Sequence, residues 1–149
     1  MAAKSTAVNA FFLAVLLSIQ AFGQANPLIG SWRSSGETGS DGYRITYTYL
    51  VSFSPDGTYE NRMDVAGTKG GPGAGTTIIR GEYRMTSSNT YLFRELSEVM
   101  CPVGVSCYPA QQLPPDFGKP KQVHFDMTGS NQVRVNGTTY YRVSSSGRQ

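Results

Sequence analysis

The sequence predicts an all-β fold, an eight-stranded antiparallel up-and-down barrel, and three observations support this prediction. The segment from Tyr43 to Phe53 alternates apolar and polar residues, which is the pattern of a strand with one buried face. Ser54-Pro55-Asp56-Gly57 follows as a tight turn, and the alternation resumes from Thr58 to Ala66, so these segments form a long hairpin. After the N-terminal 25 residues, no window of about ten residues has the 3.6-residue apolar period of a helix.

The first 25 residues have the organisation of a secretory signal peptide. Lys4 supplies the basic start, residues 10–19 form the apolar run, and small residues at 21–25 suit cleavage. An apolar run of about ten residues is half the length that a membrane-spanning helix needs, so we expect cleavage and no stable membrane insertion afterwards. We therefore expect an exported protein, periplasmic or extracellular, with a barrel domain at 26–144 and a disordered tail at 145–149.

The remaining strands are predicted in order along this domain. A short first strand at 28–33 contains the only tryptophan, Trp32, and the glycine-containing residues 36–42 form a flexible connection to the hairpin. Later strands are predicted at 76–86, 90–100, 122–128, 132–135 and 138–143. Asn136-Gly137 is the preferred pair for a type I′ turn between the last two. Eight strands joined mainly by hairpins close into a barrel, which removes both exposed edges.

Two strands show a local irregularity. Gly81 lies in the middle of its strand, where a missing side chain is typical of a bend or a close backbone approach. The alternation slips between Phe93 and Leu96, which predicts a bulge or an early end of the strand. Glu95 and Glu98 are three residues apart, a spacing that places them on opposite faces of a regular strand, so they are not expected to act as an acid–base pair.

Cys101 and Cys107 are the only cysteines, and we expect them to form a disulfide within one loop. A bare pair with this spacing lacks the further ligands that zinc requires, so no metal site is predicted. The loop continues to Pro120, and a connection of about twenty residues is typical of a segment that covers or binds something.

Composition and motifs exclude several function classes. Thirteen basic residues stand against ten acidic ones, and loss of Lys4 leaves a net charge of about +2 with no basic cluster, which argues against nucleic-acid binding. The glycine-rich residues 67–75 lack the Gly-Lys-Ser/Thr ending of a phosphate-binding loop. The single His124 falls on a polar strand face, and neither a nucleophile motif nor a cofactor fingerprint occurs. We therefore expect a protein that is not an enzyme and binds no cofactor.

Four short motifs resemble the lipocalin-like small barrels of the calycin group. They are Gly30-Ser31-Trp32, residues 53–59 (FSPDGTY), Gly81-Glu82-Tyr83 and residues 137–142 (GTTYYR). The resemblance implies a latch in which Arg142, on the last strand, packs over the ring of Trp32, with Gly30 opening the barrel. The chain is also similar to biotin-binding avidin barrels, but those stack their ligand between several tryptophans, and this chain has one.

A barrel of eight strands either holds one small ligand or is filled by its own side chains. We expect a small, largely apolar ligand, oriented by aromatic residues that point inward: Tyr43, Tyr47, Tyr49, Tyr59, Tyr83 and Phe125. The alternative is a protein-interaction module, such as an inhibitor of a secreted enzyme or an envelope assembly factor, that contacts a protein partner through the loop 101–120.

Overall fold

The computed structural model describes residues 25–40, 42–67 and 74–144, with the side chains of Ser40 and Tyr43 outside the description. The predicted signal peptide, apart from Ala25, and the predicted tail 145–149 therefore lie outside the described residues. The strands are β1 Gly30–Ser40, β2 Tyr43–Phe53, β3 Thr58–Gly67, β4 Gly75–Ser87, β5 Thr90–Pro102, β6 Tyr108–Pro109, β7 Lys121–Gly129, β8 Gln132–Val135 and β9 Thr138–Arg142. The all-β prediction is confirmed.

Eight of these strands form a closed antiparallel barrel, as predicted. Each strand pairs with its neighbours in the order β1, β2, β3, β4, β5, β7, β8 and β9, and β9 returns to β1 through Trp32–Arg142 and Arg33–Tyr141. The two-residue β6 lies outside this circle and pairs with β5 at Val99 and Met100. Within the described residues, no helix is long and apolar enough to cross a membrane.

The first strand is longer than the sequence predicts. Residues 36–40, expected as a flexible connection, continue β1 and pair with β2 in unbroken register as far as Ser40 and Tyr43. The physical reason is the cross-strand neighbour of Gly36, because the ring of Tyr47 lies over the position that a side chain at Gly36 would occupy. An aromatic ring that covers a glycine restores the packing that glycine lacks in a strand.

The two predicted tight turns are confirmed. At Ser54–Gly57 the amide of Gly57 donates to the carbonyl of Ser54 (3.2 Å), and the φ of Gly57 is 86°. Asn136 and Gly137 both have positive φ, 48° and 81°, which is the signature of the type I′ turn. These turns fix the register of the hairpins on either side of them.

The slip in β5 is a bulge, as predicted, and it corrects the placement of two carboxylates. Gly81 pairs with Glu95 while Arg80 pairs with Ser97, so Leu96 is the extra residue and Glu98 lies opposite Ile79. Directly paired residues share a face of the sheet, and Ile79 faces the barrel interior, so Glu95 and Glu98 both lie on the inner face. The prediction that they lie on opposite faces was wrong because it assumed a regular strand.

The core is concentrated at the end of the barrel where β1 begins and β2 ends. Its buried residues are Leu28, Trp32, Phe53, Tyr59, Tyr83, Tyr91, Phe125 and Val133. The ring of Phe53 meets Tyr83 and Tyr91 edge to face, with centroids 4.9 and 5.5 Å apart. Tyr83 and Phe125 are packed within this core, whereas the other six core residues also border free space inside the barrel.

At the opposite end, Cys101 and Cys107 form the predicted disulfide, with their Cα atoms 4.1 Å apart. The bridge links the end of β5 to the residue before β6, and the amide of Ala110 then donates to the carbonyl of Glu98 (3.0 Å). The long loop therefore starts with a segment held against β5.

Candidate functional site

A cavity of about 260 Å³ lies inside the barrel. Aromatic and aliphatic side chains make most of its wall, among them Val51, Phe93, Val123, Val135 and Tyr140. Ligand pockets are mostly apolar with a few polar groups, and this volume lies just below their usual lower limit of about 300 Å³. The cavity therefore suits a small, largely apolar molecule.

The chain segment before β1 closes one end of this cavity. Leu28 and Trp32 line its floor, and each is only 1% exposed. The indole nitrogen of Trp32 donates to the carbonyl of Leu28 (2.7 Å), so the floor residues are held to one another. Beyond them, the guanidinium carbon of Arg142 lies 4.1 Å from the centre of the Trp32 ring.

Arg142 also binds three backbone carbonyls around this closed end. Its two terminal nitrogens donate to Ile29 (2.7 Å) and Pro27 (2.8 Å), and its Nε donates to Ser130 (3.1 Å). Gly30, with a φ of 117°, leaves room for the guanidinium, since a Cβ there would lie 3.0 Å from its Nη1. Arg142 thus links the segment before β1 to the turn between β7 and β8.

Two buried polar atoms of the cavity wall have no hydrogen-bond partner within the described part of the chain. They are the hydroxyl oxygen of Tyr59 and the Oδ1 of Asn61, on neighbouring inward positions of β3. An unpartnered buried polar group costs about 1–3 kcal/mol, so proteins seldom keep one without a use. These two atoms are the strongest polar feature of the cavity.

The carboxylate of Glu95 also lines the cavity. Burial, followed by the charge of Glu95, raises the pKa of Tyr59 above its ordinary value, so the phenol stays protonated at neutral pH. Burial likewise raises the pKa of Tyr91 to about 12. It also raises the pKa of Tyr140, and the nearby Tyr49 adds to that increase. The cavity wall therefore offers neutral hydroxyl groups together with one carboxylate.

Lys121, the first residue of β7, balances this carboxylate. Its Nζ lies 3.0 Å from Glu95 and 3.0 Å from Asp116, and it stands 5.8 Å from the centre of the Phe93 ring. Burial disfavours the charged form, but the hydrogen bonds to Asp116 and Glu95 outweigh it, and the pKa of Lys121 is raised. The side chain of Glu95 is only 14% exposed, so this pair is partly screened from water.

The residues predicted to bind a ligand are spread over the barrel, and of these Tyr59 lines the cavity. The hydroxyl of Tyr83 donates to the carbonyl of Ser54 (2.9 Å) and accepts from Asn26, and Phe125 is buried in the core beside Tyr91. Tyr47 and Tyr49 pack edge to face with ring centroids 5.6 Å apart, and neither lines the cavity. The side chain of Tyr43 lies outside the described residues.

Sequence reasoning missed Asn61 and Lys121, although both carry a signal. Asn61 is a polar residue at an inward position of the otherwise apolar row Tyr59, Met63 and Val65. Lys121 is two and four residues before Val123 and Phe125, so its side chain lies on the same inward face of the strand. Its pairing with Phe93 places it there in the structure. Glu95 could be placed only once the bulge had fixed the register of β5.

The histidine considered from the sequence belongs to the outer surface. His124 lies on the face of β7 opposite to Phe125, and its Nδ1 is 2.8 Å from the hydroxyl of Thr90, across the strand pair β5–β7. Over the residues that the structure describes, no group of three or more His, Cys, Asp or Glu side chains is arranged to hold a metal ion.

No protein-family model matches the chain, and no curated protein is detectably similar to it in sequence.

Proposed function

We propose that this protein is an exported, non-enzymatic barrel, similar to the lipocalin-like proteins, that binds a small and largely apolar ligand. The observation that carries the proposal is the cavity of about 260 Å³ inside the barrel, with its apolar wall and its few polar groups. The position of the cavity supports it, because Leu28 and Trp32 form its floor and the turn residue Asn136 lines it from the other end.

The proposed export rests on the N-terminal 25 residues and on the disulfide. A bridge between Cys101 and Cys107 persists in oxidising compartments, which supports a periplasmic or extracellular location. Fractionation of the source cells tests this, with the protein expected outside the cytoplasm and in a form shortened by cleavage near residue 25.

Native mass spectrometry of protein purified from its own source tests ligand binding. We expect a small apolar molecule that is lost on extraction with organic solvent and rebinds when the extract is returned. Val135→Phe, which places a ring in the cavity, should abolish rebinding, and Val143→Phe, at an exposed position, should not. Equal rebinding by both variants would contradict a ligand inside the barrel.

One observation favours a second candidate function, binding of a protein partner through the disulfide loop. Large apolar side chains are exposed there, with Val103 at 74% and Val105 at 61%, and Leu113 and Tyr108 are exposed nearby. Exposed apolar groups held by a disulfide lose little conformational freedom on binding, which suits an interaction surface.

Crosslinking in the source cells distinguishes the two functions. If the loop binds a partner, a photoreactive residue at Leu113 should give one crosslinked product that disappears in the double variant Val103→Asp, Val105→Asp. The same product should persist in Val143→Asp, an exposed apolar position outside the loop. If the double variant keeps its crosslinks and its small ligand, the loop is not a partner surface.

A further inference from the structure

The polar groups of the cavity define the chemistry of the ligand's polar end. The hydroxyl of Tyr59 can donate a hydrogen bond, and the Oδ1 of Asn61 can accept one, and neither has a partner in the described residues. Both residues line the cavity from adjacent inward positions of β3. A molecule that satisfies both must itself carry an acceptor and a donor.

The charges around these atoms select against an ionised ligand. An anion would face the carboxylate of Glu95, which lines the same cavity and already disfavours the ionisation of Tyr59. A cation would gain little from Glu95, because the Nζ of Lys121, 3.0 Å away, already compensates the charge of that carboxylate. A neutral polar group needs neither an opposite charge nor the absence of a like one.

We propose that the cavity binds an uncharged molecule with an apolar body and one hydroxyl or amide group, which accepts from the hydroxyl of Tyr59 and donates to the Oδ1 of Asn61. This inference rests on the proposed function, since it requires a ligand inside the barrel. The apolar body contacts apolar lining residues such as Trp32, Val51 and Val133.

A matched series of small probes tests the inference with the intact protein. Phenethyl alcohol, phenylacetamide, phenylacetate, phenethylamine and ethylbenzene share one apolar body and differ only at the polar end. Isothermal titration calorimetry is expected to show the alcohol and the amide binding about ten-fold more tightly than ethylbenzene, and the two charged probes binding more weakly than ethylbenzene.

Two variants assign this preference to the two atoms. Tyr59→Phe and Asn61→Leu remove one unpartnered polar group each and keep a side chain of similar size. Each should bind phenethyl alcohol about ten-fold more weakly while ethylbenzene binds no less tightly. Tyr59→Phe should not lower the midpoint of unfolding in urea, because the hydroxyl that it removes makes no hydrogen bond within the part of the chain that the structure describes.

Tyr83→Phe is the matched control. It also removes one tyrosine hydroxyl from an inward position, but this hydroxyl bonds Ser54 and Asn26 and does not line the cavity. It should lower the unfolding midpoint and leave the affinity for phenethyl alcohol unchanged. Tyr59→Phe and Tyr83→Phe therefore have opposite expected effects on stability and binding.

The outcomes separate this inference from the proposed function. If ethylbenzene binds as tightly as the alcohol, or if phenylacetate or phenethylamine binds most tightly, the inference is overturned while the ligand-binding barrel stands. If Tyr59→Phe and Asn61→Leu leave the preference intact, the inference is also overturned. If no probe binds and the purified protein carries no ligand, both are overturned.

Discussion

At the scale of single residues, Arg142 joins three separate parts of the chain. Its guanidinium stacks on Trp32 and binds carbonyls of the segment before β1 and of the turn after β7. A cation over an indole contributes about 0.5–2 kcal/mol, and a hydrogen bond from a charged donor contributes about 1.5–3 kcal/mol. One side chain therefore joins the start of the barrel to its end.

Replacement of Arg142 by methionine should destabilise the protein by about 2–4 kcal/mol, because the stacking and the three charged hydrogen bonds are lost together. Urea unfolding followed by circular dichroism measures the change. Arg134→Met is the control, an exposed arginine of β8, and should change stability by less than about 0.5 kcal/mol. Equal effects of the two substitutions would show that the guanidinium contacts contribute nothing specific.

The buried tyrosines set the response to alkaline pH. Burial raises the pKa of Tyr91 from about 10 to about 12, so the folded protein holds this proton more tightly than the unfolded chain does. The resulting stability is present in full below pH 10 and is lost as the pH rises from about 10 to about 12. The loss from Tyr91 alone amounts to roughly 2–3 kcal/mol, and Tyr59 adds to it in the same direction.

Urea unfolding at increasing pH should therefore show constant stability up to about pH 9.5 and a steep fall above pH 10. Tyrosinate absorbance should rise in two stages, exposed tyrosines first and the buried ones together with unfolding. Tyr91→Phe should flatten the fall at high pH. A single ionisation near pH 10 without unfolding would show that these tyrosines are accessible to water in the folded state.

At the scale of elements, the bulge of β5 decides what faces the cavity. It requires Gly81 on β4, because a Cβ at this position would overlap the carbonyl oxygen of Arg94 and the ring of Tyr59. Without the extra residue Leu96, the register beyond Glu95 would shift by one, and the inward side chains of β5 would turn outward. A single glycine thus supports both the bulge and the placement of Tyr59.

Gly81→Ala should destabilise the protein by about 2–4 kcal/mol, since backbone must move to admit the methyl group. Thermal unfolding measures this, and nuclear magnetic resonance should show shift changes at Tyr59 and Arg94. Gly129→Ala, at a strand end where nothing lies within 4 Å of the added carbon, should change stability by under about 1 kcal/mol. If Gly81→Ala left the stability unchanged, the backbone around the bulge would not be tightly packed.

The elements also show how far the sequence could predict this fold. Alternation in β2 and β3 and the turn residues at 54–57 and 136–137 are local signals, and they predicted the hairpins and hence the barrel. The extension of β1 through Gly36 depends on a ring from another strand, and the facing of Glu98 depends on a bulge. Such features arise from the pairing between strands, and the residue pattern of one strand alone carries no information about its partner.

At the scale of the whole molecule, two strand pairings of the barrel, β5–β7 and β9–β1, join strands that no tight turn connects. These two seams differ in length. β5 and β7 pair from Thr90 to Phe93, whereas β9 pairs with β1 at Trp32 and Arg33. One further backbone bond, from the amide of Val143 to the carbonyl of Ser31 (2.8 Å), extends the second seam. The long hairpin β2–β3 is paired from Ile45 to Phe53.

Amide hydrogen exchange should therefore be faster in β9 than in the middle of β2 and β3, because a short seam opens at lower cost than a long hairpin. Arg142→Met should accelerate exchange in β9 selectively, while the β2–β3 amides keep their relative protection. Nuclear magnetic resonance measures both. Uniform protection around the barrel would show that it opens only by global unfolding.

The candidate site was less predictable than the fold. An inward row of aromatic residues was predicted, and Tyr59 belongs to the cavity, but Tyr83 and Phe125 lie in the packed end and Tyr47 covers Gly36. Alternation along a strand tells which face a side chain is on, but it does not tell how far along the barrel axis that side chain lies. Height depends on how far strands are staggered against one another, which only the register reveals.

The position of Trp32 gives the protein a built-in optical probe. It is the only tryptophan of the chain, it forms part of the cavity floor, and its ring is stacked with Arg142 at the shorter seam. Its intrinsic fluorescence should therefore report both the arrival of a molecule in the cavity and the departure of the guanidinium from the indole, without any attached dye. Ligand occupancy of the cavity and pairing of β9 with β1 can therefore be followed in the same sample from the emission of this one residue.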